Sequence, residues 1–273
     1  MDMSNRIHDI KTYKKGRFSD WRYLIVIDAC RYDTFGDIVE ERELQGELLK
    51  CHTGSHKTSW WYRRYWSRED CDVHLISSNP VPFSSAGGWN AYQRFKTSTW
   101  ADPESKRLSP EVREIVEGSL AAGVNLFDPL IPLTVFEEVK RHGERYLIHL
   151  MPPHLPFLGE KGVALLNRLG VEIGRTADIY AAVQEYARGD NWDEVRECYK
   201  ENIEFALGRI GEFSHLLDDG GVVITADHGE LTGEKRDGLG IYRHARHNKI
   251  PELFDVMQTV PWFELAEGEI HRL

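Results

Sequence analysis

Four short apolar runs limit what this chain can fold into. They are Tyr23-Leu24-Ile25-Val26-Ile27, Val73-His74-Leu75-Ile76-Ser77, Tyr146-Leu147-Ile148-His149-Leu150 and Val222-Val223-Ile224-Thr225-Ala226. Each has the length of one strand, and the first is a continuous run rich in β-branched residues. The first is apolar at every position, so it predicts a strand buried on both faces of a parallel sheet. Helical patterns lie between the runs, over Glu111 to Leu120, Pro132 to His142, Thr176 to Arg188 and Trp192 to Leu217. In the last of these, Val195, Tyr199, Ile203, Ala206, Ile210, Phe213 and Leu217 fall at three- and four-residue steps and form one stripe to lay on a sheet. Strands alternating with helices predict an α/β fold, a three-layer sandwich with a mostly parallel central sheet. Val260-Pro261-Trp262 reads as a last strand entering the core.

Composition narrows the function classes. The chain has 273 residues, with Lys+Arg 34 against Asp+Glu 44 and a formal net charge of -10. That balance excludes a generic nucleic-acid or anionic-membrane binder, which needs excess cations. Hydrophobic content of 41% with 29% charged residues is that of a folded protein. Cys30, Cys51, Cys71 and Cys198 show no paired spacing, so neither a zinc knuckle nor a disulfide framework is expected. The polar, basic segment Met1 to Asp20 contains no leader-like or membrane-spanning run. A cytoplasmic location is the resulting expectation. Residues 1–20 read as an N-terminal extension and 21–273 as a single domain, with a loop-rich insertion around 80–110.

The chemistry gathers where strands end. Asp28 closes the first run, and Asp227-His228-Gly229-Glu230 comes directly after the fourth; open α/β sheets place their sites at such carboxyl ends. An Asp and a His side by side, with a Gly that permits a tight turn, can offer O and N ligands to one divalent ion. A structural hydrogen bond is the bland alternative, and for Asp28 a helix N-cap, with Asp33 as an exposed first-turn carboxylate. A third element, Cys51-His52-Thr53-Gly54-Ser55-His56-Lys57-Thr58-Ser59-Trp60-Trp61, is a hydroxyl-rich loop running into an aromatic helix. Its Ser or Thr either caps that helix or serves as a nucleophile where helix N–H groups favour an anion. His149 and His154 flank the prolines of His149-Leu150-Met151-Pro152-Pro153-His154-Leu155-Pro156-Phe157, and Tyr242-Arg243-His244-Ala245-Arg246-His247 supplies late cations or a solvated basic loop.

In this order the elements resemble the alkaline phosphatase superfamily, and within it the sulfatase-like branch that includes lipoteichoic acid synthase-type phosphotransferases and archaeal sulfatase-like proteins. The resemblance runs from Tyr23 to about Trp262. It implies an alkaline phosphatase-like domain and a divalent ion held by Asp28, Asp227 and His228, with the oxygen of Thr58 as a further ligand. It makes Thr58 the nucleophile, because Gly54-Ser55-His56-Lys57-Thr58-Ser59 looks like the stretch carrying the threonine of the transferase branch; Ser55 is the rival. His154 would bind the transferred group or protonate the leaving oxygen, and His244 would be a second-metal ligand or a substrate contact, with Lys57 and Arg243 as further substrate-binding cations. Trp60, Trp61 and Trp66 with Arg63 and Arg64 read as an aromatic and cationic wall beside Thr58, or in part as core.

The chain also departs from the pattern. No Cys or Ser is followed by the x-Pro-x-Arg of formylglycine sulfatases, which weighs against sulfate chemistry. A single Asp after Ile27 fits Mn or Zn with one nitrogen ligand better than Ca. A full second-metal set is not evident, which disfavours a mutase, and the C-terminal subdomain of larger relatives is expected to be missing. The expected activity is that of a metal-dependent hydrolase or transferase acting on small-molecule or glycan phosphate esters through a phosphothreonine. A sulfatase, or a catalytically silent binding protein, is the alternative.

Overall fold

The computed structural model describes residues 8–9, 21–66, 70–83, 91–101, 108–171, 176–217, 220–236, 239–243 and 251–273. Along the chain run β1 (His8–Asp9), β2 (Trp21–Asp28), α1 (Tyr32–Glu41), β3 (Gly46–His52), α2 (Thr58–Tyr65), β4 (Cys71–Ser77), β5 (Phe95–Trp100), α3 (Pro110–Ala121) and α4 (Leu130–Val139). Then come β6 (Tyr146–Pro153), α5 (Glu160–Arg168), α6 (Thr176–Arg188), α7 (Trp192–Glu212), β7 (Gly221–Thr225), β8 (Leu231–Arg236), β9 (Leu239–Arg243), α8 (Pro251–Gln258) and β10 (Thr259–Leu265).

The predicted α/β architecture is the one found. Eight strands form one sheet in the order β1-β3-β10-β7-β2-β6-β4-β5, and β8 pairs with β9 in a separate hairpin. From β7 to β5 every pairing is parallel, whereas β10 runs antiparallel to both its neighbours. The four apolar runs are β2, β4, β6 and β7, and they are mutual neighbours at the centre. Tyr23 through Ile27 are all buried, which requires cover on both faces of the sheet. Phe136 of α4 packs edge-on against Tyr23 and Tyr146. α7 buries Val195, Tyr199, Ile203, Ala206 and Ile210, the predicted stripe. That helix stops at Glu212, earlier than its pattern suggests; Phe213 and Leu217 are buried from a 3-10 turn just beyond it.

The sequence pattern marks none of α5, β8, β9 and α8, and it misses three strands of the main sheet. His8 and Asp9, in the stretch that reads as an extension, pair with Cys51 and His52. β3 includes Cys51 and His52, which the pattern assigns to the hydroxyl loop, and β5 lies in the region expected to be loop.

The register at the centre of the sheet assembles the site. β7 and β6 flank β2, with Ile25 opposite both Ile224 and Ile148. Three parallel strands therefore end side by side, delivering Asp28, Asp227-His228 and the Pro152 to His154 segment to one edge of the sheet.

Candidate metal centre and pocket

Asp28, Asp227 and His228 are fully buried, and one ligand atom from each lies within 4.8 Å of the others. His228 Nδ1 lies 2.9 Å from the carbonyl of Gly229, to which it donates, so Nε2 is the lone-pair nitrogen. Nε2 lies 3.3 Å from Asp227 Oδ2, 3.5 Å from Asp28 Oδ1 and 3.5 Å from Thr58 Oγ1. Neither of those two carboxylate oxygens has a hydrogen-bond partner. Buried orphaned acceptors are costly unless something electropositive sits between them. Tetrahedral ligands about 2.1 Å from an ion stand roughly 3.4 Å apart, which matches these separations. The donor set fits a divalent metal ion, and it is the only such cluster among the described residues.

The surroundings hold each ligand in place. Asp227 Oδ1 accepts from the backbone N–H of Ala29 (3.1 Å) and of His228 (3.0 Å), which fixes Oδ2 toward the centre. Asp28 Oδ2 accepts from Asn79 Nδ2 and faces His149 Nε2 at 3.6 Å. Burial and the charges of Asp227 and Asp28 push the Tyr62 phenol well up, so it stays protonated and donates to His149 Nδ1 at 2.9 Å. That leaves the Nε2–H of His149 directed at Asp28. Burial works to raise the Asp28 pKa, but the facing His149 imidazole is the largest opposing cause, and the carboxyl is held well below its usual range. Such outer partners orient ligands and tune their basicity.

Backbone geometry does the rest. Ala29 lies in the left-handed region at φ 61°, turning its N–H onto Asp227. Tyr199 of α7 secures that turn: its hydroxyl donates to the Ala29 carbonyl at 2.6 Å and accepts from the Arg31 N–H at 2.9 Å. Tyr199→Phe strands two buried backbone groups, so it is expected to cost about 1–3 kcal/mol in urea unfolding and to weaken divalent-ion affinity. A variant with wild-type values in both would show that the clamp is dispensable. Asp28 caps no helix: Arg31 occupies the N-cap of α1 without a side-chain cap bond. Arg31 instead binds Asp33, an exposed first-turn carboxylate as expected, and reaches Thr232 and Glu234 on β8. Gly229 is needed for close approach, and a tight turn is not the reason: a Cβ there would sit 2.4 Å from the carbonyl of Val256.

The hydroxyl loop resolves its own alternatives. Thr58 is the first residue of α2, and its side chain caps nothing; Lys57 is the N-cap residue. Ser55 Oγ donates to the Lys57 carbonyl at 2.8 Å and is buried, so its proton is committed. Gly54, at φ 59°, makes the bend, and the Arg64 guanidinium packs where a Cβ would be. Thr58 and Lys57 line a cavity of about 510 Å³ together with His154 and Asn79. His154 is held beside Asp28 by its backbone N–H, 3.1 Å from the Asp28 carbonyl. Its Nδ1 lies 2.8 Å from the Leu155 carbonyl, and its Nε2 lies 3.1 Å from the Tyr180 hydroxyl, which donates to buried Glu230 at 2.9 Å.

The expected aromatic wall is assembled differently. Trp61 and Trp66 are core, with Trp61 edge-on to Tyr62. Trp60 is 48% exposed, under Lys57 Nζ at 5.6 Å, and with Arg63 and Arg64 it borders a separate hollow. His244 lies outside the described residues; Arg243 ends β9, and its side chain is outside them too. The sequence pattern does not single out Asn79, Tyr62, Tyr180 or Glu230 as site residues. Asn79 comes two residues after the β4 run, a weaker form of the signal that marks Asp28 and Asp227.

No family model matches the chain, and no curated protein matches it. Solved structures do. The lipooligosaccharide phosphoethanolamine transferase A (EptA) from Neisseria meningitidis, an integral membrane protein, superposes with a TM-score of 0.54 at 13% identity, covering 98% of this chain and 52% of that one. The soluble domain of the same transferase gives 0.54 at 15% identity, covering 93% and 79%. The C-terminal periplasmic domain of phosphoethanolamine transferase EptC from Campylobacter jejuni gives 0.52 at 12% identity, covering 97% and 84%. The chain thus spans about half the length of the full-length EptA structure. At these identities the likeness is one of fold, and it is the alkaline phosphatase-like fold expected from the motifs. Among the described residues no helix is long and apolar enough to cross a membrane.

Proposed function

We propose that the chain is a metal-dependent enzyme that cleaves or transfers phosphate esters, with Thr58 as its nucleophile. One observation carries the reading: the Thr58 hydroxyl lines the cavity and lies 3.5 Å from His228 Nε2, at the rim of three converging buried ligands. A divalent ion bound by Asp28, Asp227 and His228 would lower the pKa of a hydroxyl and offset charge on phosphoryl oxygens. The nitrogen ligand favours Mn or Zn over Ca.

The protein's own residues divide the chemistry between them. Thr58 Oγ1 gives up its proton to water in the open cavity and attacks phosphorus, and the bond from phosphorus to the leaving oxygen breaks. Lys57 and the first-turn N–H groups of α2 face the non-bridging oxygens. His154 lines the cavity and is the candidate to protonate the leaving oxygen, for which its Nε2–H must turn from the Tyr180 hydroxyl. Water or an acceptor hydroxyl next attacks the phosphothreonine, which breaks the bond between phosphorus and Oγ1 and restores Thr58. Phosphoethanolamine transfer, the activity named for the similar structures, is a second reading supported by the shared fold. The proposed compartment is the cytoplasm, in keeping with four cysteines that form no disulfide; a periplasmic location, that of the EptC domain, is the alternative.

The test is turnover of p-nitrophenyl phosphate, bis-p-nitrophenyl phosphate and p-nitrophenyl sulfate with added Mn²⁺ or Zn²⁺. Metal-dependent cleavage of a phosphate ester is the expected result. Cleavage of sulfate alone would move the assignment to a sulfatase, and silence toward all three, with metal bound, would favour a binding protein.

A further inference from the structure

The cavity has a mixed lining. Lys57, Thr58, Ser59, Ser78, Asn79 and His154 are its polar residues, and Val81, Trp100, Leu126, Phe127 and Met151, with Pro80, give it a large apolar side. Among the described lining residues the ionisable groups are Lys57 and His154, and there is no carboxylate. We infer that the cavity selects phosphate esters whose non-reacting substituent is an uncharged alkyl or aryl group, and that it discriminates against substituents ending in an ammonium. This inference rests on the phosphate-ester reading of the site and deepens it.

The apolar side is built to hold its shape. Leu126 and Phe127 sit on the turn between α3 and α4, where Asn125 Oδ1 accepts from the Phe127 N–H at 2.9 Å. The next residue, Asp128, is gripped by Arg209 of α7 through two bonds of 3.2 and 3.1 Å. Trp100 ends β5 and stacks on Phe83 at 5.9 Å and 14°, so one ring face is already covered. Met151 comes from the carboxyl-end half of β6. A wall fixed from three elements loses little entropy when a substituent covers it.

Chemistry decides what it covers. An anionic phosphoryl group satisfies Lys57 and His154, and an apolar substituent then removes surface of both partners from water. An ammonium in the same place would lose hydration against apolar side chains and gain no carboxylate from the described lining residues. Cation attraction to the Trp100 and Phe127 rings is the competing effect; it is weakened because Phe83 occupies one Trp100 face.

Binding is read without turnover by titrating the Zn²⁺-supplemented protein with methylphosphonate, benzylphosphonate and 2-aminoethylphosphonate, monitoring tryptophan fluorescence and calorimetric heat. Benzylphosphonate is expected to bind at least about tenfold more tightly than methylphosphonate, since each buried methylene equivalent contributes about three- to fourfold. 2-Aminoethylphosphonate should bind no more tightly than methylphosphonate. Phe127→Ala should erase the benzyl advantage and leave methylphosphonate within about twofold; Leu126→Ser, checked by circular dichroism, should do the same if the first variant folds poorly. Equal affinities for the methyl and benzyl ligands, or preference for the aminoethyl ligand, would overturn the inference. The expected affinity order in a protein that cleaves no ester would sink the enzymatic reading and leave the cavity assignment standing. Ester cleavage with a flat affinity order would do the reverse.

Discussion

Thr58→Ala is expected to abolish phosphate-ester turnover, with kcat reduced by at least about 10³-fold, the scale on which enzymes lose activity when a nucleophile is removed. The protein should stay folded. Thr58 caps no backbone N–H, and alanine suits the first turn of α2 at least as well as threonine. Metal binding should weaken only modestly, because Asp28, Asp227 and His228 remain. Thr58→Ser keeps a hydroxyl near His228 Nε2 and should retain measurable turnover, slowed by the freer rotation of its side chain. Acid-quenched wild-type protein should carry one phosphoryl group on Thr58 by peptide mass, and the alanine variant none. Undiminished turnover in Thr58→Ala would move the nucleophile elsewhere. Ser55 is poorly placed to take over, since reaching phosphorus would require breaking its bond to the Lys57 carbonyl.

Whether a residue can be read from the sequence depends on whether its setting is local. β2, β4, β6 and β7 show as apolar runs because strands buried on both faces admit little else. β3 and β5 do not, because they lie toward the sheet's edges, where residues such as Lys50, Lys96 and Thr97 are partly or fully exposed. Asp28, Asp227 and His228 stand out as candidate ligands because they come at the ends of apolar strands, and parallel neighbours must end on the same edge. Of their surroundings, His149 and Glu230 fall in stretches the sequence marks, a strand exit and the turn after His228, but their partners leave no such trace. Tyr62 belongs to a helix, and Tyr180, which joins His154 to Glu230, meets Glu230 across 50 positions of sequence. Their roles exist only as tertiary contacts. Trp61 and Trp66 mislead for the opposite reason: they adjoin Thr58 in sequence, yet the helix turns them into the core and leaves Trp60 outside.

Asp227→Asn should uncouple stability from metal. In the wild-type protein, a divalent ion at a hundred times its Kd stabilises the fold by about 2.7 kcal/mol, which for a chain of this size raises Tm by roughly 5–10 °C. The variant should lose most of that rise, and its turnover should fall by at least about 10²-fold. Its behaviour without metal is the sharper test. Asparagine keeps Oδ1, so the bonds from Ala29 and His228 persist. It replaces Oδ2, an orphaned acceptor 3.3 Å from the lone pair of His228, with an NH₂ that can donate to that nitrogen. It also removes one of two buried negative charges at this centre. The metal-free variant should therefore melt at or above the metal-free wild type, the opposite of what a structural ion pair between Asp227 and His228 demands. Melting curves with excess chelator and with saturating Zn²⁺ or Mn²⁺ separate the cases. A metal-free variant several degrees less stable than wild type would make Asp227 a structural partner of a protonated His228, whereas an undiminished metal shift would place the ion away from these three residues.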